Sequence, residues 1–229
     1  MGTDFFSLHR FWSALPKVFA YLPTTVAMVL IAIAIGVVLG FLLAFIRIRH
    51  IPVADQIARV FISLVRGTPE IVLLFIVYYG LPLLAADIFR LDINGWSPFV
   101  FAVIALGVNQ AAFCAEMFRG ALESVPVGQY EAAYSSGLNE VQTFLHIVLP
   151  QAIRVMLPNF SLVFVGLFQT TVLASAIGVM DVMGRAGALG VATMHSLEPL
   201  VAAAVIFIVI SVLMEHAVSW LNAKLTFGR

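Results

Sequence analysis

Residues 18–46 contain no acidic or basic side chain, and that uninterrupted run constrains the chain more than anything else in it. A helix of about 20 residues crosses a hydrocarbon core about 30 Å thick, so this run spans a bilayer with length to spare for tilt. It is also too long for the apolar core of a signal peptide, about 7–15 residues, and is expected to be retained. Four more apolar runs of spanning length lie near 56–84, 98–118, 155–178 and 199–222. Composition agrees, with 62% hydrophobic residues, 10% charged and a mean hydropathy of +1.06, against about 25% charged in soluble domains. The expected fold is an all-α integral membrane protein of five transmembrane helices, with neither internal repeats nor a low-complexity linker. Gly36 and Gly40 form a small-xxx-small face suited to helix packing. A formal net charge of zero gives no reason to expect nucleic-acid binding. Cys114, the single cysteine, falls within an apolar helix and reads as a small core residue.

Lys and Arg near the span ends bias insertion toward the cytoplasm. Arg47, Arg49, Arg59, Arg66, Arg119, Arg154, Lys224 and Arg229 fall on one side, against Arg10, Lys17, Arg90 and Arg185 on the other. Eight against four places the first group inside. The expected organisation is an extracytoplasmic segment 1–17, a membrane domain 18–222 and a cytoplasmic tail 223–229. A polar loop of about 120–154 then lies in the cytoplasm.

That loop has its own pattern. Tyr130 to Ser136 suits a short helix, and Ala132 and Ala133 present a small, flat surface. Gly137 permits the positive backbone angle that ends it, and Asn139 with Gln142 resembles a capping pair for a second helix. Val141, Phe144, Leu145 and Val148 fall on one face of that second helix, which Pro150 is expected to stop.

Glu131-Ala132-Ala133, then Gly137, then nine residues to Ile147-Val148-Leu149-Pro150, resembles the EAA signature of permease subunits of ATP-binding-cassette importers. The similarity extends through Arg66-Gly67-Thr68-Pro69, Tyr79-Gly80-Leu81-Pro82, Ala115-Glu116-Met117-Phe118-Arg119-Gly120, Val125-Pro126 and Gly128-Gln129. With Leu173-Ala174-Ser175 and Ile177-Gly178-Val179 it covers roughly 20–222 and points to the polar amino-acid branch. The resemblance implies the type I importer permease fold and location in the bacterial cytoplasmic (inner) membrane. It implies that Glu131, Ala132, Ala133, Gly137, Ile147, Leu149 and Pro150 form a coupling helix that docks on an ATPase. The partners it implies are a second permease subunit, the same or a sister chain, two ATPases and an extracytoplasmic solute-binding protein. The chain has no phosphate-cradling Gly-x-x-x-x-Gly-Lys-Ser/Thr loop, so ATP and Mg would be used by the partner and this chain would carry no cofactor. No metal-ligand spacing and no nucleophile with its base can be assembled, leaving an intramembrane enzyme without support. An ATP-independent channel or a scaffold gives no reason for the complete signature.

A charge at the bilayer centre costs at least about 3 kcal/mol and normally faces a cavity or a partner. Glu70, Asn109, Gln110, Glu116, Gln169 and Thr170 are therefore candidates for the substrate path. Asn109 matches an asparagine that lines the path in the amino-acid permeases, the alternative being a bond between helices. Glu116 with Arg119 reads as an ion pair or a contact to the coupling loop. Arg66 and Glu70, four apart around Pro69, are expected to pair across a kinked or broken helix. Where the family commonly reads Lys-Asp-Thr-Ser, this chain reads Phe168-Gln169-Thr170-Thr171. An amide cannot neutralise a cation, which favours a neutral or acidic amino acid over arginine or lysine, with an opine as the alternative cargo. Asp181, Arg185, Gly187, Gly190, His195 and Glu198 lie between the last two spans, where the resemblance implies a short gating helix. His195 itself reads as an ordinary loop histidine.

Overall fold

A computed structural model describes residues 5–226; Arg229 and the first four residues lie outside them. The described residues form helices and turns without a strand. Five helical stretches are long and apolar enough to cross a membrane: Leu22–Ile48, Glu70–Phe89, Pro98–Glu123, Glu140–Ile177 and Leu197–Trp220. The number matches the expectation, but several boundaries do not.

The chain enters through an amphipathic helix, α1 (Leu8–Phe19), which buries Phe11, Ala14 and Val18 and leaves Leu8 and Trp12 exposed. A sharp break at Ala20 and Tyr21 separates it from α2 (Leu22–Ile48), whose first turn holds Pro23. The first span therefore starts at Leu22 rather than 18, because a proline in the first turn wants a fresh helix start.

The second span, expected over 56–84, is two helices. α3 (Ala54–Gly67) ends where Thr68 turns extended before Pro69, and α4 (Glu70–Phe75) begins immediately after. Pro69 lacks the donor that a continuous helix would need, and its ring disfavours a helical residue before it. A π-turn over Ile76–Gly80 comes next, then α5 (Leu81–Phe89) with Pro82 in its first turn.

α6 (Pro98–Glu123) is the central helix and runs past the expected end at 118. It packs along α2 at three glycines that leave no room for a side chain. A Cβ on Gly36 would lie 2.6 Å from Gln110 Cβ, one on Gly40 2.6 Å from Cys114 Cβ, and one on Gly107 2.8 Å from Ile35. Gly36 and Gly40 thus serve packing within one chain, and Cys114 is buried in the seam they create.

Two short helices, α7 (Val127–Ser135) and α8 (Glu140–Thr143), make up the polar loop. α8 does not stop at Pro150. It passes through a second π-turn, Phe144–Val148, into α9 (Leu149–Thr170), and the axis continues as a 3₁₀ stretch to Ile177. The fourth span, expected from 155, is consequently continuous with the loop. Pro150 is accommodated because it sits in the first turn of α9, where the hydrogen-bond register has just slipped to i→i+5. Gly178, at φ +88°, turns the chain into α10 (Val182–Thr193), and α11 (Leu197–Thr226) completes the bundle. The tail expected from 223 is helical as far as Thr226.

The main core brings Met28 and Ala32 of α2, Leu74 of α4, Phe101 and Leu106 of α6 and Leu167 and Phe168 of α9 into one apolar cluster. A smaller cluster of Val18, Val182, Ala186, Ala203 and Ile206 seats α1 on α10 and α11.

Candidate functional site

The signature loop folds as a helix, a glycine turn and a helix. Ser136 caps α7, Gly137 adopts φ +82°, Gly137 N–H donates to Tyr134 O and Leu138 N–H to Ala133 O. These paired bonds satisfy the last carbonyls of α7, and they require the left-handed residue that glycine supplies without steric cost. α8 starts with a reciprocal cap: Gln142 N–H donates to Asn139 Oδ1 at 2.9 Å, and Asn139 N–H to Gln142 Oε1 at 3.0 Å. Both features match the sequence reading.

The loop is seated by Val148, wholly buried with Ala121, Val125 and Ala152, with Tyr130 and Phe144 packed over them. Ala133 is buried, whereas Glu131, Ala132 and Gly137 are exposed. Ile147 and Leu149 are half-buried, and Pro150 is exposed. The expected single apolar face is split. Phe144 and Val148 turn inward, while Val141 and Leu145 stay exposed along a groove of about 560 Å³ shared with Phe41, Phe45 and Ile48 of α2. Even at ordinary helical spacing Phe144 and Val148 sit about 60° round from Val141 and Leu145, so one side of that stripe meets the bundle and the other does not.

Two polar bonds tie the loop to the bundle. Arg49, just beyond α2, pairs with Glu140 at 2.5 Å, and Gln151 Nε2 donates to Gln129 Oε1 at 3.2 Å, joining α9 to α7. Nothing in the local sequence signals the Arg49–Glu140 pair beyond the placement of both on one side by the charge count.

At the same end of the bundle Glu116 accepts from Arg119, at 2.7 Å, and from Arg47 of α2. The Arg119 pair was expected; Arg47 was not, because its distance along the chain hides the contact. Arg66 and Glu70 do not pair. The break at Thr68 and Pro69 separates them: Arg66 lies over the Phe113 ring at 5.3 Å, and Glu70 Oε2 accepts from Thr170 Oγ1 at 3.1 Å. Thr170 Oγ1 also lies 3.0 Å from Gly166 O, so α4 and the end of α9 meet at two residues the sequence named separately.

Asn109 and Gln110 are both buried. Gln110 Nε2 donates to Asn109 Oδ1 at 3.4 Å, and Gln110 lies at the α2 seam against Gly36 with its Oε1 unpartnered. Gln169 borders a cleft of about 620 Å³ between α9 and α11, and its Nε2 donates to Ser211 Oγ at 3.4 Å. Phe207, Met183 and Ala204 supply apolar walls, and Glu215, which the sequence reading passed over, places a carboxylate on the same cleft.

At the opposite end of the bundle Asp181 is fully buried and caps α10 by accepting from Gly184 N–H at 2.8 Å. Thr25 of α2 bridges to it, with Oγ1 3.4 Å from Asp181 Oδ2 and 3.3 Å from Val182 N. Burial pushes the Asp181 carboxyl above its ordinary value, and the Gly184 and Thr25 bonds oppose that shift. Glu198, also buried, accepts from Ser7 N–H at 2.9 Å and from Arg10 Nε at 2.7 Å, fastening α1 to α11. His195 borders a small cleft beside it with His9 and Lys17.

Compared with known proteins, residues 36–227 match the family described as binding-protein-dependent transport system inner membrane component. The L-cystine transport system permease protein TcyL of Bacillus subtilis (strain 168) is 41% identical over 210 residues, covering 92% of this chain and 87% of that one. The octopine transport system permease protein OccM of Rhizobium radiobacter is 36% identical, covering 90% and 84%. Among solved structures, the crystal structure of an amino acid ABC transporter with histidines superposes with a TM-score of 0.83 at 28% identity, covering 98% of this chain and all of that one.

Proposed function

This chain belongs to the family of binding-protein-dependent transport system inner membrane components, and from that premise we propose that it imports a polar amino acid, delivered by an extracytoplasmic binding protein. It is a multi-pass inner-membrane permease subunit and not an enzyme; the ATPase is a separate subunit. The observation that carries the reading is the signature loop, whose glycine turn and reciprocal cap hold Glu131, Ala132, Gly137 and Val141 exposed at one end of the bundle. Two ATPases using ATP and Mg dock there, and two permease chains pair around the path. Arg47, Arg49, Arg59, Arg66 and Arg119 mark that end as cytoplasmic, with the amino terminus outside. Asn109, Gln169, Thr170 and Glu70 contribute to the path.

Affinity purification of the tagged chain from native membranes tests the core of this reading. An ATPase is expected in equal amount, lost when the 131–150 loop is altered. Recovery of the chain alone would overturn ATP coupling.

Gln169 supports a neutral or acidic amino acid, since an amide offers no counter-charge. Glu215 on the same cleft favours a second reading, a cationic amino acid or an opine of the kind named for OccM. Competition of labelled cystine or glutamine uptake by arginine separates them. Arginine without effect supports the first; arginine winning at micromolar levels, and losing that advantage in Glu215→Gln, supports the second.

A further inference from the structure

The Arg66-Gly67 motif takes no part in the coupling loop or the path, yet it borders a cleft of about 400 Å³ between the ends of α2, α3 and α6. Arg47, Arg59 and Arg66 line it with Ser63, Phe113 and Glu116. The acids nearby are already engaged. Asp55 holds Arg59 through two bonds at 2.8 and 2.9 Å and faces His50 at 3.5 Å, Glu116 is shared by Arg47 and Arg119, and Glu123 takes Arg119 at 2.6 Å. Four guanidiniums therefore meet three carboxylates, leaving one positive charge. It resides at Arg66, which has no carboxylate within ion-pair distance among the described residues and lies over the Phe113 ring. Arg47 Nε is buried without an acceptor. The exposed Arg66 thus offers a positive charge at the mouth of a cleft in which Arg47 Nε is a buried, unfilled donor, a pairing that fits an anion of single charge.

The surroundings say where that anion comes from. Val53, just before α3, and Ile57, Val60 and Leu64 on it form an exposed apolar stripe, while Ala58 is buried and Ile62 and Val65 pack on Ala112 and Ala115 of α6. At 100° per residue Arg59, Ser63 and Arg66 fall between these two faces. Arg47 reaches the cleft from the end of α2. The basic edge of the cleft thus runs alongside the exposed apolar stripe of α3, the arrangement that suits acyl chains below a phosphate.

We propose that the cleft formed by Arg47, Arg59, Ser63 and Arg66 binds the phosphodiester of an anionic phospholipid. The guanidinium of Arg66 supplies the charge, Arg47 Nε–H and Ser63 Oγ–H supply donors, and the α3 stripe lies along the chains.

Native mass spectrometry of the full chain, purified in its assembly and re-supplied with phosphatidylglycerol or phosphatidylcholine, tests this. The wild-type protein is expected to retain phosphatidylglycerol preferentially by about fivefold, the worth of one basic residue beside an anionic leaflet. Arg66→Gln should abolish the preference and Arg66→Lys should keep part of it. Ser63→Glu, which sets a carboxylate between Arg59 and Arg66 at an exposed position, should abolish it without disturbing packing. Equal retention of the two lipids, or an undiminished preference in Ser63→Glu, overturns the proposal. Displacement of phosphatidylglycerol by millimolar inorganic phosphate would assign the cleft to a soluble anion and overturn the lipid.

Discussion

Gly137 is the residue at which the signature loop makes its strictest demand on backbone geometry. An L-residue held at φ +82° costs about 1–2 kcal/mol, and more when β-branched. Gly137→Val is therefore expected to leave the bundle folded but to uncouple ATP hydrolysis from uptake; normal uptake at normal expression would refute the role. Asp181 yields a pH prediction. Its folded value lies above the ordinary 3.8, so the ionised form opposes folding at neutral pH, and the stability it withholds returns as pH falls from the folded value towards 3.8. Thermal unfolding of wild type minus Asp181→Asn in detergent should accordingly shift in favour of wild type across that window. A difference independent of pH would mean the carboxyl is not desolvated.

At the scale of helices, three features were legible from local spacing: the break at Pro69, the glycine turn with its Asn139 cap, and the Gly36/Gly40 seam. Each rests on a rule spanning at most a few residues. Gly40→Leu should force α2 from α6, since even a Cβ would lie 2.6 Å from that of Cys114, and overpacking of this kind costs about 1–3 kcal/mol. A melting temperature equal to wild type would show that the seam can open freely. The π-turns were not legible. Gly80-Leu81-Pro82 and Val148-Leu149-Pro150 share one device, a π-turn ending two residues before a proline. Spacing alone presents Pro150 as a stop, whereas the register slip keeps the helix going. Pro150→Ala should restore an α register and rotate α8, weakening a cysteine cross-link between positions 49 and 140; unchanged cross-linking would contradict that account.

Across the whole molecule, the apolar runs suffice for the number of spans, but not for the polar pairs that lock them. Arg47 with Glu116, Glu70 with Thr170, Thr25 with Asp181 and Arg10 with Glu198 each join residues distant in sequence. No local pattern encodes such partners; the topology selects them. The expected Arg66–Glu70 pair failed for this reason, as proximity along the chain was outweighed by a break between them. Arg10→Ala removes the guanidinium on Glu198 and leaves that buried carboxylate with the Ser7 N–H, so α1 should loosen and become accessible to protease first. Protection equal to wild type would mean the apolar seat of α1 holds it alone.

The continuity of Glu140–Ile177 has a mechanical meaning. Val148 at the loop and Gln169 at the cleft belong to one rod, about 32 Å apart at 1.5 Å per residue. Were that rod to pivot by about 10° at its seat against Ala121 and Val125, Gln169 would sweep about 5 Å, roughly one helical pitch. The loop is then the short arm of a lever whose long arm carries the amide that borders the cleft. A small stroke delivered at one end of the bundle becomes a displacement of amino-acid dimensions at the other.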